Sequence, residues 1–78
     1  MYTFFFISAE LKVNVLNDTV RFGFLDEIES ISENDALEVV KLILEERAKK
    51  AYGVSKGTFK VNFCKKKIYD ENGNECEG

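Results

Sequence analysis

Residues 2–16 read YTFFFISAELKVNVL, and this stretch decides the fold. Every odd-numbered residue from 5 to 15 is apolar, which is the period-two pattern of a β-strand that buries one face. The even-numbered positions begin with three aromatic residues, Tyr2, Phe4 and Phe6, and continue with polar ones. The sequence therefore predicts a first strand over about residues 2–16 that lies at the centre of a sheet, with a second face that is apolar only at its start.

A second alternating run follows a turn signal. Asn17 and Asp18 favour a turn because both residues tolerate positive φ and bond to their own backbone. Apolar residues then alternate with polar or small ones at Val20, Phe22 and Phe24. This pattern predicts a β-hairpin whose second strand covers about residues 19–25.

The hydrophobic period changes after Ser32, which with Asp35 resembles a capping box. Apolar residues then recur every three or four positions at Ala36, Leu37, Val40, Ile43, Leu44, Ala48 and Ala51. Gly53 follows as a typical C-terminal stop. The sequence therefore predicts a helix over about residues 33–52 with one broad apolar face.

The last third of the chain predicts a third strand over about residues 58–65, where Phe59, Val61 and Phe63 alternate with polar residues. The Asn-Gly pair at 72–73 predicts that residues 68–69 fold back on residues 75–76 as a short β-ribbon. We expect the tail, residues 70–78, to be partly frayed.

Together these elements predict a small two-layer ββαβ domain of the α+β class. A chain of 78 residues holds one domain at most, here residues 1–78. The most apolar strand belongs at the centre, which predicts a three-stranded antiparallel sheet in the order 2-1-3 with the helix on one face. The expected helix-facing core comprises Phe5, Ile7, Ala9, Leu11, Val13, Val20, Phe22, Phe24, Phe59, Val61 and Phe63.

A single helix leaves the second sheet face uncovered. Strand alternation without a bulge places an apolar cluster on that face, consisting of Tyr2, Phe4, Phe6, Cys64 and Ile68. Such a cluster predicts a homo-oligomer seam or a partner surface. The alternative is that the C-terminal ribbon folds over the cluster as a lid.

Charge is strongly segregated along the chain, although the net charge is only −3. Residues 26–46 sum to −7, residues 47–67 to +8, residues 68–78 to −4, and residues 1–25 to zero. An acidic set is expected to bind a protein partner with a basic surface: Asp26, Glu27, Glu29, Glu33 and Asp35. An alternative basic site would bind nucleotides or nucleic acid: Lys56, Lys60, Lys65, Lys66 and Lys67.

Neither charged set requires a ligand. Acidic residues at the start of the helix and basic residues at its end complement the helix dipole. In the predicted topology the third strand runs back along the helix, so Lys65–Lys67 would approach Glu33 and Asp35 and neutralise them. Nucleic acid is the less favoured ligand, because a nucleic-acid module of this size is normally basic overall.

The composition argues against catalysis. There is no His, and Cys64 and Cys76 have no further residues with which to complete a zinc site, so both are expected as free thiols. No glycine-rich phosphate loop is present. We therefore expect no catalytic residue, no metal and no cofactor. The apolar start is too short for a signal peptide or a membrane span, which favours a cytoplasmic protein without membrane contact.

We interpret the chain as a non-catalytic protein-binding module that acts as a homodimer by occupying a basic partner surface. Many Lys, Asn, Phe and Ile residues and no Pro are typical of AT-rich bacterial or phage genes. A phage-encoded inhibitor of a host defence system is compatible with this composition. The alternatives are a nucleotide or nucleic-acid binder that uses residues 56–67, and a structural subunit of a larger assembly.

Overall fold

The computed structural model describes residues 1–76, and its strands form one antiparallel sheet. The elements are β1 (Tyr2–Val15), β2 (Asp18–Glu29), α1 (Glu33–Tyr52), β3 (Gly57–Tyr69) and β4 (Glu75–Cys76). The strand order is β2-β1-β3-β4, with α1 packed on one face. This confirms the predicted α+β architecture and the 2-1-3 order, with the ribbon added as a fourth strand. The last two residues of the tail for which fraying was expected, 77 and 78, lie outside the described residues.

The core lies between β1 and α1. It consists of alternate β1 residues and one helix face: Phe5, Ile7, Ala9, Leu11, Val13, Ala36, Val40, Leu44 and Ala48. Residues of β2 and β3 pack around it and stay partly accessible, because they flank the central strand. Burying each large aliphatic side chain contributes about 1.5–3 kcal/mol, so the alternation in β1 supplies the main stabilisation of the fold.

Both ends of α1 are capped at the predicted residues, but the capping box is only half formed, because the Ser32 amide donates to the Ser30 hydroxyl oxygen at 3.4 Å and not to Asp35. The Ser32 hydroxyl oxygen accepts a hydrogen bond from the Asp35 amide at 3.2 Å. Gly53 has a φ of 72° and donates its amide to the Lys49 carbonyl oxygen at 2.8 Å, which ends the helix in a left-handed cap. A serine cap of this kind contributes about 1 kcal/mol to helix stability.

The β1–β2 turn lies one residue earlier than predicted. Val15 pairs with Asp18, so Leu16 and Asn17 form the turn and Asn17-Asp18 does not. This register keeps Val13 opposite Val20 on the buried face, and burial fixes strand register more strongly than turn preference does. The turn places Leu16 at a φ of 57°, with its side chain 97% exposed.

A β-bulge at Asn62 changes the alternation of β3. Ala9 pairs with Val61 and Ser8 with Phe63, so Asn62 is the extra residue between them. The bulge moves Phe63 to the face away from α1, which corrects its predicted place in the core. β3 also continues four residues past the predicted end at 65, to Tyr69, and β2 continues four residues past 25, to Glu29.

β2 forms one edge of the sheet, and two side chains bind its outward backbone groups. The Ser30 amide donates to the Thr3 carbonyl oxygen of β1. The backbone groups of even-numbered β2 residues therefore bond to β1, and those of odd-numbered β2 residues point to the unpaired edge. Arg47 of α1 donates to the outward carbonyl oxygen of Gly23 at 3.3 Å. The outward amide of Glu27 donates to the Asp26 carboxylate at 2.7 Å.

Candidate functional site

The sheet face turned away from α1, here called the open face, carries the even-numbered residues of β1, because their odd-numbered neighbours are buried against α1. Strand pairing sets three rows across it: Glu29-Phe4-Lys67, Glu27-Phe6-Lys65 and Leu25-Ser8-Phe63. β4 pairs beside β3 in the sheet itself. The alternative that the ribbon covers this face as a lid is therefore wrong for the chain up to Cys76.

Five aromatic side chains, here called the aromatic cluster, gather at the end of the open face where β1 begins: Tyr2, Phe4, Phe6, Phe63 and Tyr69. The rings of Phe4 and Tyr69 meet edge to face with centroids 5.3 Å apart, and those of Phe6 and Phe63 at 5.4 Å. Each such pair contributes about 0.5–1.5 kcal/mol beyond its buried area. Tyr2 remains 50% exposed and Phe63 45% exposed, so the cluster presents apolar surface to solvent.

Two members of the predicted oligomer interface lie on the opposite face. The bulge at Asn62 places Cys64 opposite Ile7 and Ile68 opposite Thr3, so both side chains point to the helix side. Cys64 packs against the core there. Tyr2, Phe4 and Phe6 keep their predicted place on the open face.

A small polar network beside the aromatic cluster connects side chains of β2, β3 and β4. The Tyr69 hydroxyl donates to Glu27 Oε1 at 2.7 Å. Lys67 Nζ lies 3.4 Å from the same carboxylate and 3.7 Å from that of Glu75. The ammonium group also sits 5.2 Å from the centroid of the Phe6 ring, within cation–π range. Residues of β2, β3 and β4 are thereby held together on the open face.

This network raises the pKa values of Tyr69 and Lys67. The hydrogen bond to Glu27 raises the pKa of Tyr69 above its ordinary value, because the phenolate would lie against a carboxylate. The interaction with Glu27 likewise raises the pKa of Lys67, since it favours the charged ammonium group. Both groups therefore stay protonated through the neutral range.

Beside the network lies a shallow depression of about 540 Å³, here called the acidic pocket. Three aromatic side chains and four carboxylates line it together with Gly73: Tyr2, Phe4, Tyr69, Glu27, Glu29, Asp70 and Glu71. No basic side chain is among these lining residues. A depression with this lining favours a cation over an anion.

The turn after β3 fixes one wall of the acidic pocket. The Asp70 carboxylate accepts hydrogen bonds from the amides of Asn72 and Asn74, both at 2.9 Å. Gly73 completes the turn at a φ of 83°, a conformation that glycine adopts without strain. The Asn-Gly signal in the sequence therefore also positions Asp70 and Glu71 beside Tyr69.

The predicted acidic set does not form one surface. Glu27 and Glu29 lie on the open face and line the acidic pocket. Asp26 alternates to the other face of β2, and Glu33 and Asp35 lie in the first turn of α1, in the helix layer. Two of the five predicted residues are therefore brought together, and they are joined by Asp70 and Glu71.

The predicted basic set is also divided. Lys60 and Lys65 lie on the open face with Lys67, whereas Lys66 points to the helix side and Lys56 precedes β3. Lys67 bonds Glu27 and Glu75. Among residues 1–76, the ion pairs of Lys65–Lys67 involve neither Glu33 nor Asp35. Glu33 lies beside Cys64, and the bulge leaves Lys66 as the one of these three lysines on the helix side, so the predicted neutralisation across the helix start stays a prediction.

Cys64 has the environment of a packing residue. Burial, reinforced by the carboxylate of Glu33, raises the pKa of its thiol above the ordinary value. A raised pKa lowers the fraction of reactive thiolate at neutral pH. Within the described chain, no three acidic or cysteine side chains lie close enough together to hold a metal ion.

Sequence reasoning missed Phe63, Tyr69 and the turn carboxylates as members of the site. The bulge leaves no mark at Asn62 that distinguishes it from an ordinary strand residue, so the position of Phe63 was not accessible from alternation. Tyr69 and Asp70 had a usable signal, because the Asn-Gly turn fixes where β3 ends.

Comparisons of the chain with protein-family models, curated proteins and solved structures find no match. No helix formed by the described residues has both the length and the apolar character needed to cross a bilayer.

Proposed function

We propose that this protein is a non-catalytic binding module that docks a basic segment of a partner protein at the acidic end of its open face. The observation that carries the proposal is the acidic pocket, which four acidic residues line together with half-exposed Tyr2 and the less exposed Phe4 and Tyr69, and which no basic residue lines. Aromatic residues supply contact area at low entropic cost, and the carboxylates attract the partner and fix its orientation.

The charge around the acidic pocket is available to a partner. Glu29 is exposed and takes part in none of the ion pairs among residues 1–76. Glu71 is exposed in the turn. Glu27 is already partly neutralised by Lys67, so its main contribution is to hold Tyr69 in place.

The proposal favours a protein partner over nucleic acid. Phosphate groups would meet the carboxylates of the acidic pocket, and the lysines of β3 are divided between two faces. An acidic protein that covers a basic surface also blocks that surface from other ligands. This mode of action is compatible with the phage-encoded inhibitor considered above.

The test uses a fluorescent octapeptide of alternating lysine and arginine as a defined basic probe. Replacing Glu29→Gln together with Glu71→Gln is expected to weaken binding about fivefold or more, since each exposed charge contact contributes about 0.5 kcal/mol or more. Binding should also weaken with rising salt. Fluorescence anisotropy measures both effects.

The matched control is Glu38→Gln with Glu46→Gln, which changes the net charge equally on exposed positions of α1. Its affinity should stay close to that of the unmodified chain. Equal losses in both double variants would show attraction by overall charge and would overturn the proposal, as would the absence of binding at low salt.

A further inference from the structure

We infer that the acidic pocket accepts one arginine side chain of the partner, with the guanidinium group lying on the aromatic rings between two pairs of carboxylates. This inference rests on the proposed function and specifies its ligand. The strand order supports it, because β1 places Tyr2 and Phe4 between β2 and the end of β3, where Tyr2 pairs with Tyr69 and Phe4 with Lys67 and the acidic turn follows. Glu29 lies on the β2 side, and Glu71 on the side of the turn after β3.

The chain itself shows that this surface binds a cation. Lys67 places its ammonium group 5.2 Å from the centroid of Phe6 and within 4 Å of two carboxylates. Its side chain is 23% exposed, so the aromatic cluster and its acidic neighbours pack around the lysine side chain. The acidic pocket combines the same kinds of side chain and shares Glu27 with this lysine, and no basic residue is among its lining residues.

The site is also ordered before a ligand arrives. The Tyr69 hydroxyl holds the Glu27 carboxylate, the ring of Tyr69 packs edge to face on Phe4, and the Asp70 carboxylate is fixed by two backbone amides. A preorganised site loses less conformational entropy on binding.

Arginine fits this geometry better than lysine. The acidic pocket is shallow and wide, and its carboxylates come from opposite sides. A planar guanidinium group has five donors, stacks on aromatic rings and is weakly hydrated, so it can bond carboxylates on both sides while it lies on a ring. An ammonium group is a compact, strongly hydrated charge with three donors.

The experiment compares three short blocked peptides that differ only in their central residue: arginine, lysine or citrulline, the uncharged analogue of arginine. Amide NMR spectra follow each titration of the full chain. The arginine peptide is expected to shift the amides of Tyr2, Phe4, Glu29, Tyr69 and Glu71. Its affinity should exceed that of the citrulline peptide about tenfold, and that of the lysine peptide about threefold.

A Tyr2→Ala variant tests the aromatic contribution, since Tyr2 is half exposed at the start of β1 and its loss leaves the core intact. This variant should bind the arginine peptide about fivefold more weakly than the unmodified chain does. The matched control is Leu25→Ala on the same face, an exposed residue outside the acidic pocket, which should leave the affinity unchanged.

The outcomes separate this inference from the proposed function. If the octapeptide binds and depends on Glu29 and Glu71, but the citrulline or lysine peptide binds as well as the arginine peptide, the arginine assignment is wrong and the proposed function stands. If no basic peptide shifts these amides, both are wrong. Both the proposed function and the arginine assignment are supported if the amides shift selectively with the arginine peptide, and if Tyr2→Ala reduces these shifts while Leu25→Ala leaves them unchanged.

Discussion

Gly57 and Gly23 both lie in strands but tolerate a side chain very differently. A Cβ atom at Gly57 would overlap the backbone carbonyl of Lys12, because the start of β3 approaches β1 closely there. A Cβ atom at Gly23 would meet open space. Only glycine therefore fits at residue 57.

We expect Gly57→Ala to lower the free energy of unfolding by about 1–3 kcal/mol, the usual cost of forcing atoms into a packed site. Gly23→Ala, its matched control, should raise that free energy by about 0.5–1 kcal/mol, since glycine weakens a strand interior. Urea denaturation measures both. A loss of equal size in the two variants would contradict the steric argument.

Tyr69 links the chemistry of the open face to pH. The pKa of Tyr69 is raised in the folded chain by Glu27, so its hydrogen bond stabilises the fold fully below the ordinary tyrosine value of about 10 and is lost as pH rises through the folded value. The raised pKa of Lys67 acts in the same direction and in the same alkaline range.

We therefore expect the unfolding free energy to fall in the alkaline range, and the tyrosinate absorbance to show one step above the ordinary value. Tyr69→Phe should remove that step and reduce the alkaline fall in stability. Tyr52→Phe, at the end of α1, should retain the step. A high-pH step that persists in Tyr69→Phe would show that Glu27 does not control it.

At the scale of elements, the bulge in β3 decides which side chains face a partner. Val61 and Cys64 face the helix layer, and Phe63 faces the open side, although 61 and 63 share parity. Removing Asn62 would restore regular alternation without moving any of the three to the wrong face. Removing a residue elsewhere in β3 would reverse every side chain beyond it.

Deletion of Asn62 is therefore expected to preserve the fold and the contact between Phe6 and Phe63, at a cost of about 1 kcal/mol for the lost Asn62–Ser8 hydrogen bond. Deletion of Lys65 is the control and should strongly destabilise the chain, because Ile68 and Tyr69 would exchange faces. Chemical denaturation measures stability, and NMR contacts between the Phe6 and Phe63 rings report the register. Equal loss in both deletions would contradict the bulge assignment.

The contrast between β1 and β3 shows how much the sequence predicts. Six apolar residues at odd positions in β1 leave one way to bury the strand, and the capping residues of α1 bound the helix, so the architecture follows from the pattern. β3 has a short apolar run followed by three lysines, and lysine is tolerated on either face. A one-residue shift in the register of β3 therefore buries no charge that would oppose it. The faces on which Phe63, Cys64 and Ile68 lie depend on three-dimensional contacts, which the apolar–polar alternation of the sequence does not reveal.

At the scale of the whole molecule, the open face leaves apolar side chains uncovered. Leu25 is 65% exposed and lies in one row with Ser8 and with Phe63, which is 45% exposed. Exposed apolar surface of this kind favours association with a second copy. The homodimer expected from the sequence is thus retained as a prediction, with its seam at Phe6, Leu25 and Phe63, which leaves Tyr2 and Phe4 of the acidic pocket to the partner.

We expect the chain to have a dimeric mass in solution, and Leu25→Glu to give a folded monomer, because two such charges would be buried in the seam. Leu42→Glu is the matched control, since Leu42 is 57% exposed on α1 and should leave the mass unchanged. Light scattering after gel filtration measures both. A monomeric mass for the unmodified chain at high concentration would contradict the dimer.

The bonds that Arg47 and Asp26 make along β2 have a consequence for aggregation. A long strand at a sheet edge is a template on which another chain can add, and β2 has twelve residues without Pro, although five of them are charged. An incoming strand would have to displace the guanidinium group from Gly23 and the carboxylate from the Glu27 amide. We therefore expect Arg47 and Asp26 to hinder strand addition at this edge, although neither side chain belongs to the core.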